Sequence, residues 1–167
     1  KRHDFRIDYE VGFDQQGRIL GADITLMSRC GYSTDYSGPV KDRACLHIDN
    51  CYHIPALKLI SHRCKTHMQS ATAFRGFGGP QGMFGVETMI EQIANTLGKD
   101  PLDVRRVLLH QAHRHGETPR LAVARQFVGE RHAVQFDEPV PRRALDDPLK
   151  FALVEGRTEL HRAEEAP

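Results

Sequence analysis

The chain has 167 residues, 40% of them hydrophobic and 27% charged, enough to close one core of ordinary globular composition. A formal net charge of +1 excludes a protein built to hold nucleic acid or an anionic membrane by charge, and no apolar run is long enough to span a bilayer. No apolar signal core follows Lys1-Arg2-His3-Asp4, so the expected location is the cytoplasm, and with Lys1 first the expectation is a fragment that begins inside a longer chain or after processing.

Phe5, Ile7, Tyr9, Val11 and Phe13 alternate with Arg6, Asp8, Glu10 and Gly12, which is the period of a strand with one buried face. Asp14-Gln15-Gln16-Gly17-Arg18 supplies turn chemistry, and Leu20, Ala22, Ile24 and Leu26 alternate through a second run, Ile19 to Met27. A hairpin follows. Ser28 to Gly38 is too rich in small polar residues for a regular element and reads as a loop. Pro39 then suits the start of a short helix over Val40 to His47, which carries Arg43. Asp49 to Pro55 reads as a turn, and Ala56 to Met68, with Leu57, Leu59, Ile60 and Thr66, as a strand. His62, Cys64 and His67 lack a fourth ligand at an expected spacing, so no metal site is read there. The four cysteines, Cys30, Cys45, Cys51 and Cys64, make no CxxC pair and read as free thiols in a reducing compartment.

The stretch Thr72-Ala73-Phe74-Arg75-Gly76-Phe77-Gly78-Gly79-Pro80-Gln81-Gly82-Met83 has the composition of a site: glycines that let backbone approach a ligand, and flat apolar rings beside them. It runs into a helix in which Met83, Val86, Ile90, Ile93 and Leu97 share one face and Gly98 is the stop. Free N–H groups at that helix start, its dipole and Arg75 would favour an anion or an oxo group. The glycine pattern matches neither GxGxxG nor GxxxxGK[ST], and the competing reading makes Phe74 and Phe77 core anchors that hold the loop down, Phe74 above all. Asp100 caps a second helix with Pro101 in its first position and Asp103 in its first turn, and Leu102, Leu108 and Leu109 are its apolar contacts.

Ala73 to Gly82, with Arg63-Cys64-Lys65-Thr66 before it and Gly98 to Arg106 after it, closely resembles the molybdenum-binding subunit or domain of the xanthine dehydrogenase and aldehyde oxidase family. The resemblance covers residues 1–106. It implies an α+β fold, a β-hairpin and a further strand packed with two tandem helices as part of a molybdopterin-binding domain. It also implies that Arg43, in Arg43-Ala44-Cys45-Leu46-His47-Ile48-Asp49-Asn50, orients a purine and stabilises charge developing on it. Phe77 would stack on the substrate ring, Phe74, Arg75 and Gly76 would face the cofactor, and the backbone of Arg75 would lie near molybdenum. Arg43 favours a purine over an aldehyde, because a guanidinium is a fixed fork of donors suited to purine oxygens.

In such enzymes the molybdenum–molybdopterin group passes electrons through two 2Fe-2S clusters to FAD and NAD, held on other domains or on a partner subunit. The resemblance therefore implies an oxidation of hypoxanthine or xanthine to urate, with a glutamate base that this chain does not contain. The isolated chain is expected to be inactive.

From Val107 the family's pattern is lost. Residues 107–167 read as a tail produced by a shifted reading frame or as a disordered, poorly structured segment, in which Leu121 to Val128 and Leu149 to Leu160 could form short helices. His110, His113 and His115 read as a solvated face. Two other functions compete: a small phosphate- or nucleotide-binding module using the glycine loop, and a non-catalytic product of a damaged gene.

Overall fold

The computed structural model describes residues 1–114 and 151–160. Strands β1 (Asp4–Asp14) and β2 (Ile19–Gly31) form the expected antiparallel hairpin. Its turn is built by Asp14, whose Oδ1 accepts the N–H groups of Gln16 and Arg18 at 2.9 and 3.0 Å, while Gly17 takes the left-handed φ of 90° that the reversal requires. Phe5, Ile7, Tyr9, Val11 and Phe13 are all buried, as their alternation dictates. On β2 the register shifts between Gly12 and Phe13, so that Phe13 pairs with Ile19. Ile19 thereby enters the core and Leu20 stays half-buried, whereas simple alternation put Leu20 inside.

The chain then crosses through α1 (Ser37–Leu46) to β3 (Leu57–Lys65), which lies parallel to β2. Helix α1 starts three residues before the expected Val40, inside the stretch read as loop, with Tyr36 at its N-cap and Ser37 and Gly38 already buried. Helices α2 (Gly79–Leu97) and α3 (Pro101–Arg114) follow in tandem. Gly98, at φ 63°, ends α2, and the Lys99 N–H returns to the Ala94 carbonyl at 2.9 Å. Asp100 Oδ1 accepts the Leu102 N–H at 2.7 Å, the cap expected for α3.

Val86, Met89, Ile90 and Ile93 of α2 are sealed against the sheet, each contributing about 1.5–3 kcal/mol relative to exposure. The apolar contacts of α3 are Val104 and Leu108; Leu102 and Leu109 are 53% and 39% exposed, correcting the expectation that all three leucines pack.

The tail differs from its sequence reading. Phe151–Leu160, read as part of a short helix, is strand β4, antiparallel to β1, and the sheet order is β3-β2-β1-β4. Gly156 disfavours a helix there, Val154 and Thr158 favour a strand, and the open edge of β1 offers ladder partners; tertiary pairing wins over weak local propensity. Leu121 to Val128 and His115 lie outside the described residues. The architecture is α+β, as the sequence implied.

Candidate functional site

The glycine-rich loop leaves β3, crosses the sheet end and enters α2 through two linked turns. Phe77 N–H donates to the Phe74 carbonyl at 2.8 Å, and Gly79 N–H to the Gly76 carbonyl at 3.0 Å. Three successive residues have left-handed backbones: Gly76 at φ 90°, Phe77 at 50° and Gly78 at 96°. For Phe77 that conformation costs about 1–2 kcal/mol, so it persists only because its surroundings hold it. They do: the ring is half-buried against the core and meets Tyr36 edge-on, with centroids 6.2 Å apart.

The helix start is not the open anion cradle that the sequence suggested. The N–H groups of Gln81 and Gly82 donate to the Gly78 carbonyl at 3.1 and 3.2 Å, Gly79 is committed to Gly76, and Pro80 has no N–H. Two of the glycines serve packing instead of a ligand. A Cβ on Gly78 would collide with the Val40 carbonyl, and one on Gly82 with the Ala44 carbonyl, so α2 lies backbone to backbone on α1. That contact brings α1 and its last-turn Arg43 to the loop. Arg43 Nε stands 3.8 Å, and His47 Cδ2 3.3 Å, from the point a Cβ on Gly79 would occupy.

The structure therefore gathers Arg43, Phe77 and the Gly76–Gly79 backbone at one corner. Phe74, Arg75 and Gly76 form its exposed tip, and Phe74, 53% exposed, is no core anchor. Among the described residues neither Arg43 nor Arg75 has an ion-pair partner. Two unpaired guanidinium groups beside exposed loop backbone fit a group rich in phosphate and oxo oxygens, as a molybdopterin is.

Glu87 faces away from this chemistry. Its Oε1 accepts Asn50 Nδ2 at 3.0 Å and the Tyr52 hydroxyl at 2.8 Å, and its Oε2 accepts Arg105 Nε at 2.8 Å. Burial alone would raise this carboxyl, but the hydrogen bonds from Arg105, Tyr52 and Asn50 outweigh it and hold Glu87 below the usual carboxylate range. Burial and the neighbouring Glu87 push Tyr52 upward. Glu87 ties α3 to α2 and to the turn after α1.

Sequence reasoning also missed a buried cluster behind the loop: His3 Nε2 lies 2.8 Å from Ser37 Oγ, and Gln81 Nε2 donates to the His3 carbonyl at 3.3 Å. Only distance in space joins these residues, so no local pattern announces them. A separate cleft of about 590 Å³, lined by Asp14, Arg18, Leu20, Val107, His110 and Gln111 among others, lies between the hairpin turn and the end of α3. Among the described residues no group of three His, Cys, Asp or Glu side chains could hold a metal ion, and no helix is long and apolar enough to cross a membrane.

Residues 1–109 match the sequence profile of the molybdopterin cofactor-binding domain. The chain belongs to that family, within the xanthine dehydrogenase and aldehyde oxidase proteins. It is 45% identical over 117 residues to the xanthine dehydrogenase of Drosophila subobscura, covering 70% of this chain and 8% of that protein. It is 42% identical over 111 residues to a nicotinate hydroxylase of Emericella nidulans, covering 66% and 8%. Among solved structures, the aldehyde oxidoreductase of Desulfovibrio gigas superposes with a TM-score of 0.58 at 28% identity, over 63% of this chain and 12% of that one. The chain thus spans about a twelfth of the length of the relatives it matches.

Proposed function

We propose that this chain is a piece of a cytoplasmic molybdenum hydroxylase that oxidises purines, hypoxanthine or xanthine to urate. The observation that carries the reading is Arg43 Nε 3.8 Å from the point a Cβ on Gly79 would occupy, at the start of α2 and two residues from Phe77. A flat, polar heterocycle needs a ring to lie against and a planar donor fork at its edge; Phe77 and Arg43 are those two parts. Arg43 binds the purine through its oxygens and stabilises negative charge as it develops on the ring. Phe77, fixed by its own turn, sets the plane in which the ring lies. Phe74, Arg75 and Gly76 would hold the cofactor, Arg75 through its backbone.

When bound, the molybdenum–molybdopterin group supplies the oxidising chemistry, and 2Fe-2S clusters, FAD and NAD on other domains or a partner subunit carry the electrons onward. In this reading the general base lies on another part of the parent; among the described residues Glu87 and Glu91 are engaged by Arg105. In this reading the family's part ends near Arg106, a few residues short of the matched 1–109, and the tail from Val107 is the product of a shifted frame. The isolated chain neither retains molybdenum nor turns over xanthine. The phosphate-module alternative draws no support from α2, whose first N–H groups are already used.

The reading is tested in the parent, reconstructed by translating the source DNA in every frame across Val107. Arg43→Gln in that enzyme should lower kcat/KM for xanthine about a hundredfold and spare an aldehyde substrate. Equal loss on both substrates would overturn the purine assignment.

A further inference from the structure

Lys1, Arg2 and His3, just ahead of and entering β1, touch both arms of the glycine-rich loop. The Lys1 carbonyl accepts the Thr72 N–H at 2.9 Å, and the His3 carbonyl accepts Gln81 Nε2 at 3.3 Å. Between these contacts Arg2 does two things with one side chain. Its Cζ stands 4.5 Å from the centre of the Phe74 ring, and its Nη2 donates to the Arg75 carbonyl at 3.0 Å. His3 is itself anchored on Ser37 at the start of α1, so the segment is held from behind.

The bond to Arg75 has a stereochemical consequence. The peptide between Arg75 and Gly76 is trans and planar, so its carbonyl and its N–H point in opposite directions. Drawing the carbonyl toward Arg2 turns the Gly76 N–H away from Arg2. Among the described residues that N–H has no acceptor in the chain. Gly76 has little intrinsic preference for one orientation of this peptide over its flipped form, because it lacks a Cβ. An outside contact has to choose.

We infer that Arg2 is the positioning residue of the loop: it fixes the Arg75–Gly76 peptide so that the Gly76 N–H is presented as a donor to an oxygen atom of a bound group. Its weight for catalysis rests on the cofactor-facing role proposed above, whereas the fixing of the peptide does not. The guanidinium is needed as a shape and not only as a charge, because it stacks on Phe74 through its plane while donating from its edge. A lysine ammonium has no plane with which to do both.

The test compares the unsubstituted 167-residue chain with Arg2→Gln and Arg2→Lys, by amide hydrogen exchange and thermal unfolding. The Phe77 N–H, bonded inside the turn that Arg2 braces, should exchange about tenfold faster in both variants, as loss of one charge-assisted hydrogen bond predicts. The Gly76 amide resonance should move with it and the thermal midpoint should fall by no more than the few degrees that one such bond is worth, while the Gly82 amide resonance stays at its original position. Unchanged Phe77 exchange in Arg2→Gln would overturn the proposal. So would full rescue by lysine, which would leave charge alone as the agent, or exchange along β1 accelerated more than at Phe77, which would make Arg2 an ordinary structural residue. No cofactor enters this measurement, so its failure leaves the purine reading standing, and loss of that reading leaves the braced peptide standing.

Discussion

Arg105 Nε lies 2.8 Å from Glu87 Oε2, and this one contact joins α3 to α2 at the point where Asn50 and Tyr52 also converge. Asn50 takes a left-handed backbone, φ 52°, to reach it.

Replacing Glu87 by Ala should therefore destabilise the fold by about 1–2 kcal/mol, less than a fully buried charged network because both partners are partly exposed. Urea unfolding at neutral pH measures it. The Glu87 carboxyl is held below its ordinary value, so its contribution is full above the unfolded carboxylate pKa, about 4.3, and is lost as pH falls through the lower folded value. The stability gap between the original chain and Glu87→Gln should narrow in acid; a gap constant from pH 7 to pH 3 would contradict the network.

Gly82→Ala should cost about 1–3 kcal/mol, although alanine is the better helix former, because the new methyl meets the Ala44 carbonyl and not a pliable side chain. Gly98→Ala, where nothing stands near the added carbon, should cost only about 1–2 kcal/mol, from its left-handed backbone. Thermal unfolding of the two variants, with crystallographic or NMR inspection of α1, separates a helix displacement from a local cap defect.

His3 is buried, and burial pushes its pKa down. In the unfolded chain it takes up a proton near pH 6.5. Unfolding therefore binds more protons than the native state below that pH, and stability falls as pH drops from about 6.5. His3→Gln should flatten this part of the profile, measured as urea midpoints between pH 7.5 and 5; an unaltered slope would place the titration elsewhere.

Deleting residues 151–167 leaves β1 with an unpaired edge. Amide exchange along Phe5 to Phe13 should accelerate, and the truncated chain should self-associate more readily in sedimentation.

The hairpin and α2 could be read from sequence because their burial is periodic within one element: Phe5 to Phe13 by twos, Val86, Ile90 and Ile93 by threes and fours. Ile19 escaped because a single-residue register shift changes which side faces inward. β4 escaped because its strand character is conferred by β1, far away in sequence. At the site, the glycines were legible as unusual but their purpose was not. Whether a missing Cβ admits a ligand or a helix depends on what lies opposite, and for Gly78 and Gly82 that is α1. Arg2 and Gln81 carry no local signal at all, since their partners lie 73 and 78 residues away.

The backbone contact of α1 with α2 also turns the corner into a caliper. With Val40 and Ala44 carbonyls set against Gly78 and Gly82, the two jaws cannot close further, and the buried faces of both helices resist opening. The gauge between the Arg43 and Phe77 main chains is thus preset before anything enters. If the corner holds a ring as proposed, a wider or narrower one has to be matched by swinging the Arg43 side chain about its own torsions, so the reach of one arginine would limit the range of rings accepted.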